Sequence, residues 1–270
     1  MNYVIGLSPL IFGIVALVVF IRRRQPVLGS FGLSASRQSP LDFLVGLIIP
    51  ASAIALVFLV ERVLGVIVVS QGTITWPSFF TDVLGQLLLA AALEELLFRV
   101  LLLTGLAVVL EKVPAGRWIA VLVTGAIFGA SHLGNEGASL VAAVGTGLGG
   151  VIYGIAFLAT RSIWLPLALH LSWNMAQGLF GFPISGHTVP GFLISASTGA
   201  EPWNGGDYGP EAGIPGLIAR FVIIALLFLY LKRRYPAGRI STLRFAPDPV
   251  RHLRKTAAAP ERTPTAQAQP

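Results

Sequence analysis

Apolar residues along this chain come in long, nearly unbroken runs, not in the period-two alternation of half-buried strands. Seven runs stand out, at about residues 3–21, 43–70, 83–110, 118–133, 139–160, 164–180 and 214–231. Most approach or exceed the ~20 residues that carry a helix across a bilayer. The pattern predicts an all-α protein, a polytopic transmembrane helical bundle of about seven spanning helices. The second run contains Pro50 and the adjacent Glu61 and Arg62. The fifth is rich in glycine (Gly145, Gly147, Gly149, Gly150, Gly154), which lets helix backbones approach closely. Between the sixth and seventh runs, residues 181–213 are rich in Gly, Pro and Ser and read as an irregular loop. A short eighth element near Val189–Ala196 is a further option there.

Composition supports lipid as the solvent. Of the 270 residues, 54% are hydrophobic and 11% charged, against roughly 25% charged in soluble domains. With no cysteine, thiolate catalysis, disulfides and Cys-rich metal sites are excluded. The net charge of +7 does not indicate nucleic acid, because the basic residues flank apolar runs as topology signals. With the N-terminus outside, the inner segments are 22–42, 111–117, 161–163 and 232–270, and they hold 16 of the 19 Lys and Arg. The other three, Arg62, Arg99 and Arg220, fall within runs, and the outer loops carry none. The expected location is therefore the cell membrane, multi-pass, N-terminus outside and C-terminus cytoplasmic. Three parts follow: residues 1–42, a first helix and basic cytoplasmic loop; 43–232, the membrane-embedded bundle; and 233–270, a basic tail expected to be disordered.

The third run carries Glu94, Glu95 and Arg99 amid apolar neighbours. A charge at the bilayer centre costs roughly 2.5–3.5 kcal/mol on insertion scales, so these groups need partners or a wet cavity. Glu95 and Arg99 are spaced i, i+4 and share a face. Glu94 sits about 100° around the helix, without an obvious local partner, and suits a general base or acid. Phe128 and His132 share a face of the fourth helix, as do His170 and Asn174 on the sixth. Taken singly, each reads as packing or interhelical hydrogen bonding. Taken together, Glu94, His132, His170 and Asn174 have the composition of a hydrolytic site: a carboxylate to activate water, imidazoles to move protons and an amide for an oxyanion. Two His and one Glu also form a known zinc ligand set, although no His-Glu-x-x-His occurs.

In this order the three motifs, Glu94-Glu95-Leu96-Leu97-Phe98-Arg99, then Phe128-Gly129-Ala130-Ser131-His132, then His170-Leu171-Ser172-Trp173-Asn174, resemble the CAAX-protease and bacteriocin-processing (CPBP) family, which includes the type II CAAX prenyl endopeptidases. The resemblance covers about residues 83–182. It implies a glutamate-dependent intramembrane peptidase in which Glu94 activates the attacking water with help from His132. His170 and Asn174 would stabilise the oxyanion, and Glu95, Arg99 and Phe128 would support the site. The expected cofactor is none; a metal held by Glu94, His132 and His170 is the minority alternative. Expected partners are membrane lipid and a membrane-associated peptide or protein substrate, with no nucleic acid. Two other classes stay open: a non-catalytic family member with a bacteriocin-immunity or partner-stabilising role, and a transporter, since intramembrane carboxylates also serve proton relays.

Overall fold

A computed structural model describes residues 3–235; the tail expectation for residues 236–270 lies outside the described residues. The seven apolar runs fold as seven long helical elements: α1 (Tyr3–Arg22), α2 (Ser39–Val63), α3 (76–109), α4 (Gly116–Ser131), α5 (Leu140–Thr160), α6 (Trp164–Leu179) and α7 (Ile214–Arg234). By length and composition, α2, α5 and α7 can each cross a membrane. The protein is thus a mostly helical membrane protein.

Glycine and other small residues set how closely the helices pack. Between α4 and α5, a Cβ on Gly129 would strike the Ala143 carbonyl and Gly147, and one on Gly150 would meet Gly125. This is the close approach expected of the glycine-rich run. The other extensive seam joins α2 to α6. There Gly46 lies against Ala168 and the Leu165 carbonyl, and Ser172 Oγ donates to the Leu47 carbonyl at 2.5 Å. At the far end Asp42 accepts from Tyr230 and Tyr235 at 2.5 and 2.6 Å, tying α2 to the end of α7.

The structure departs from the expectations in three places. The second apolar run does not continue as helix to residue 70. After Val63 the chain turns at Gly65 (φ +69°) and residues Ile67–Gln71 form a strand, β1. β1 pairs antiparallel with Leu193–Ser197, β2, with Ile67 opposite Ser197 and Gln71 opposite Leu193. The all-helical expectation therefore acquires a two-stranded ribbon. Ile and Val at 67–69 are β-branched, and their backbone groups find partners on a distant segment that a local pattern cannot reveal. Second, the 181–213 loop is structured, not irregular: beyond β2 it forms a helical turn at Glu201–Asn204 and 3₁₀ turns at Gly206–Tyr208 and Pro210–Ala212. The eighth element suspected there is β2. Third, α3 starts at Trp76 and is not uniformly α-helical: it widens to π-helix at Phe79–Leu84 and again at Leu96–Leu103.

Candidate active site

The central part of α3 is α-helical through Glu95, and the second π segment begins at Leu96. π segments inside helices occur frequently at functional sites. Adjacent positions on the helix point in different directions, so Glu94 and Glu95 enter opposite environments. Glu95 is fully buried. Its Oε1 lies 3.0 Å from Arg99 Nη1, the i, i+4 pair the spacing predicts. The side chain of Glu94 is one-third exposed and lines a cavity of about 490 Å³.

Arg99 is 2% exposed and is held on several sides. Its guanidinium lies 4.6 Å from the Phe128 ring centroid and 4.9 Å from that of Tyr153, with Nη2 donating to the Gly150 carbonyl at 3.4 Å. Cation–π contact of this kind strengthens when desolvated. A Cβ at Gly150 would meet Gly125 and Phe128 on α4, so glycine there keeps closed the α4–α5 seam that carries this carbonyl.

His170 on α6 completes the cluster. Its Nδ1 is 2.9 Å from Glu95 Oε1. The carboxylate paired to Arg99 can only accept, so Nδ1 carries the proton and the ring is fixed. Nε2 then faces Glu94, 3.6 Å from its Oε2. The ring stacks on Tyr153 at 4.8 Å and 16°. A carboxylate that orients an imidazole through Nδ1 is a recurring device for aiming Nε2 at chemistry.

His132 closes α4 as its C-cap residue. Its Nδ1 lies 2.8 Å from the Phe128 carbonyl, which can only accept, so here too Nδ1–H donates and Nε2 is left as the acceptor nitrogen. The Phe-x-x-x-His spacing is what allows this, because His132 folds back onto the carbonyl four residues earlier. Glu94, Phe128, His132, His170 and Asn174 all line the one cavity. The residues read from the three motifs are thus brought together, with Glu95 and Arg99 immediately behind them. Among the described residues, no three His, Asp or Glu side chains are grouped as they stand so as to hold a metal ion.

Several cavity residues were not singled out from the sequence. Ser131, Asn135 and Tyr153 contribute from α4, the turn after it, and α5, while Ile184, Ser185, His187, Val189 and Glu211 come from the 181–213 segment. That segment is anchored from below. Glu211 is 2% exposed and accepts from Arg220 Nη2 at 2.9 Å, Trp173 Nε1 at 2.9 Å and Ser185 Oγ at 2.5 Å. Asn135 Nδ2 donates to the Ser185 carbonyl at 2.7 Å. Tyr208, whose hydroxyl is 2.7 Å from Thr146 Oγ1, is pushed up to about 12 by burial and stays protonated across physiological pH. One signal for this anchor was present in the sequence: Arg220, inside an apolar run, required a carboxylate, and the acids of the preceding loop were the available partners.

Fold and site together define a class, a helical membrane protein with a buried Glu–Arg–His cluster behind an open carboxylate in an internal cavity. Residues 76–176 match the family model described as type II CAAX prenyl endopeptidase Rce1-like. That stretch is a CAAX-protease family domain, and all seven motif residues fall inside it. Neither a search of curated proteins nor a search of solved structures found a match.

Proposed function

We propose that this protein is an intramembrane endopeptidase that hydrolyses a peptide bond of a membrane-associated peptide or protein, with Glu94 as the general base. The observation that supports this reading is the convergence of Glu94, His132, His170 and Asn174 from three helices on one cavity. Separate burial of each, satisfied by its own helix, is what a packing role would have produced. Glu94 takes a proton from water as the water oxygen bonds to the scissile carbonyl carbon. His132, with Nε2 free, helps hold that water. The oxyanion is met by the Asn174 amide and by His170 when Nε2 is protonated. Collapse breaks the C–N bond, and Glu94 returns the proton to the leaving amine. Glu95 and Arg99 keep His170 in register. In this reading the Glu94 carboxylate itself activates the water. The bundle sits in the cell membrane, N-terminus outside and C-terminus cytoplasmic, crossing it seven times.

The test is Glu94→Gln, which keeps shape and hydrogen bonding but cannot accept a proton from water. Substrates are found by comparing membrane proteomes of cells carrying the wild type and the variant. Cleavage is then measured with both proteins purified at matched yield. A loss of about 10²–10⁴-fold is expected, the usual contribution of a general acid–base group. Wild-type turnover by the variant would end the catalytic reading and leave the cluster as packing.

A further inference from the structure

The site cavity has a direction. The charge pattern assigns the connections 64–75, 134–139 and 181–213 to the face opposite the basic segments, and none of the three carries Lys or Arg. Asn135, Ser185, His187 and Val189, all from these connections, line the cavity, and His187 is exposed. The contribution from α1 is Pro9, in the first half of that helix. Among the described residues, none from the basic segments 22–42, 111–117 or 161–163 lines it; those segments line a separate cleft that shares no residue with it.

The inward end is closed by packing. Phe128 and Tyr153, each 2% exposed, are the buried aromatic rings of the lining. Further toward the basic face, Leu102, Leu103, Val121 and Phe157 are fully buried. A Cβ on Gly154 would meet Val121 at 3.3 Å and Leu103 at 3.5 Å. Helices α3, α4 and α5 are thus in close contact there, as dense as a protein interior.

The outward end is held open. Ile184 and His187 exchange backbone hydrogen bonds at 2.8 and 2.9 Å around a two-residue turn, with Ser185 at φ +49° and Gly186 at φ +84°. Left-handed backbone at Ser185 costs on the order of 1 kcal/mol, and such a turn persists only where its surroundings fix it. Gly186 N–H donates to the Tyr208 carbonyl at 3.0 Å, and a Cβ there would strike the Glu136 backbone. Asn135 and Glu211 hold Ser185. The turn therefore stands at the rim and does not fold over Glu94, which keeps its one-third exposure.

We propose that water and substrate reach the site from the outer face. The bond cut then lies in polypeptide delivered to that face, an exported chain or the outer flank of a spanning helix, and not in a cytoplasmic C-terminus. The substrate half of this inference rests on the peptidase reading; the access half does not. Leu87, Ala90, Leu97 and Ile184 make much of the cavity wall apolar, which suits uncharged residues next to a membrane anchor.

The absence of native cysteine allows single-cysteine variants of the full chain. Ala90→Cys lies in the cavity one turn from Glu94, His187→Cys on its rim, and Ala35→Cys at an exposed position of a basic segment. Right-side-out and inverted membrane vesicles are treated with a charged methanethiosulfonate, and labelling in detergent gives the full reactivity of each thiol. Ala90→Cys and His187→Cys should react at least ~10-fold faster in right-side-out vesicles, because hydrocarbon excludes the charged reagent. Ala35→Cys should show the opposite preference. Labelling of Ala90→Cys from the inverted side only, or from neither side, overturns outward access; His187→Cys carries the comparison if Ala90→Cys does not fold. Ala35→Cys reacting from the same side as the cavity cysteines overturns it too. Labelling involves no proteolysis, so it decides access whatever Glu94→Gln does. Cleavage sites found by comparing wild-type and Glu94→Gln membrane proteomes decide the substrate half: sites in outer segments support it, and sites in cytoplasmic segments overturn it. A comparison that yields no site refutes the peptidase reading and the substrate half with it, while access still stands on the labelling.

Discussion

Removing Arg99 should cost more stability than removing Glu94, although both are charged residues on the same helix. Arg99→Ala leaves Glu95 fully buried, its ion-pair partner at 3.0 Å gone and only His170 still in contact. Breaking a buried pair from one side typically costs about 3–5 kcal/mol, because a charge is stranded without compensation. The loss of the stacked guanidinium between Phe128 and Tyr153 adds to it. Glu94→Gln strands nothing, since Glu94 opens on the cavity. The assay is thermal unfolding of the purified variants in detergent together with membrane yield. Arg99→Ala should be poorly produced and clearly destabilised, and Glu94→Gln close to wild type. A double variant, Glu95→Gln/Arg99→Met, should recover part of the stability because the stranded charge is removed, yet stay inactive because His170 loses its orienting carboxylate. Wild-type unfolding of Arg99→Ala would refute the reasoning, and so would a double variant less stable than the single.

Asn174→Ala should fold normally and lower turnover about 10²–10³-fold, the effect of losing one oxyanion donor; unchanged turnover in a cleavage assay would remove Asn174 from the site. Reporter fusions after residues 35 and 235 should both read cytoplasmic, and an external signal from either would sink the seven-span topology. Arg23 holds Glu111 below its ordinary value of 4.5 by hydrogen bonding, with burial opposing. The depressed folded-state value means that this pair's stabilisation is present above about pH 4.5 and fades as pH falls through the folded value below it. The pair is solvent-accessible on both sides, so Arg23→Gln should cost under about 1 kcal/mol at neutral pH. Unfolding measured from pH 7 downward should show wild type and variant converging as pH falls through the depressed Glu111 value, and a gap that widens instead would contradict the assignment.

Much of the helical framework was legible in the sequence because membrane helices satisfy their backbone hydrogen bonds within themselves. Each apolar run could therefore be read alone, and the helix boundaries fall close to the run boundaries. The failures are the places where partners are distant. Ile67–Gln71 continues an apolar run and looks like more helix; only Leu193–Ser197, far along the chain, makes it a strand. The π segment after Glu95 left no mark in the residue pattern. In the site, Glu95–Arg99 was legible because the pair is local and its spacing is fixed by the helix. His170 Nδ1 on Glu95 was not, since two residues 75 positions apart meet only through the packing of α3 on α6. The loop residue Ser185 was hidden for the same reason, and for Glu211 only the need of Arg220 for a carboxylate gave a sign.

The division of labour between adjacent glutamates follows from that packing. Identical side chains one residue apart differ here only in what surrounds them. Here Glu95 has a guanidinium at 3.0 Å and an imidazole at 2.9 Å, with no exposure, and so holds both partners in place. Glu94 has Nε2 of the same imidazole at 3.6 Å and partial access to the cavity. One histidine therefore lies between a carboxylate that holds it and a carboxylate open to water. Aspartate at position 94 would shorten the side chain by one methylene and draw its oxygens away from Nε2, whereas aspartate at position 95 would break both the Arg99 and His170 contacts. The two substitutions remove the same atoms, so their effects separate the roles. Glu94→Asp should lower turnover with little change in unfolding temperature, and Glu95→Asp should lower both. Equal effects on stability and turnover at the two positions would show that the cluster acts as one structural unit, with no open base.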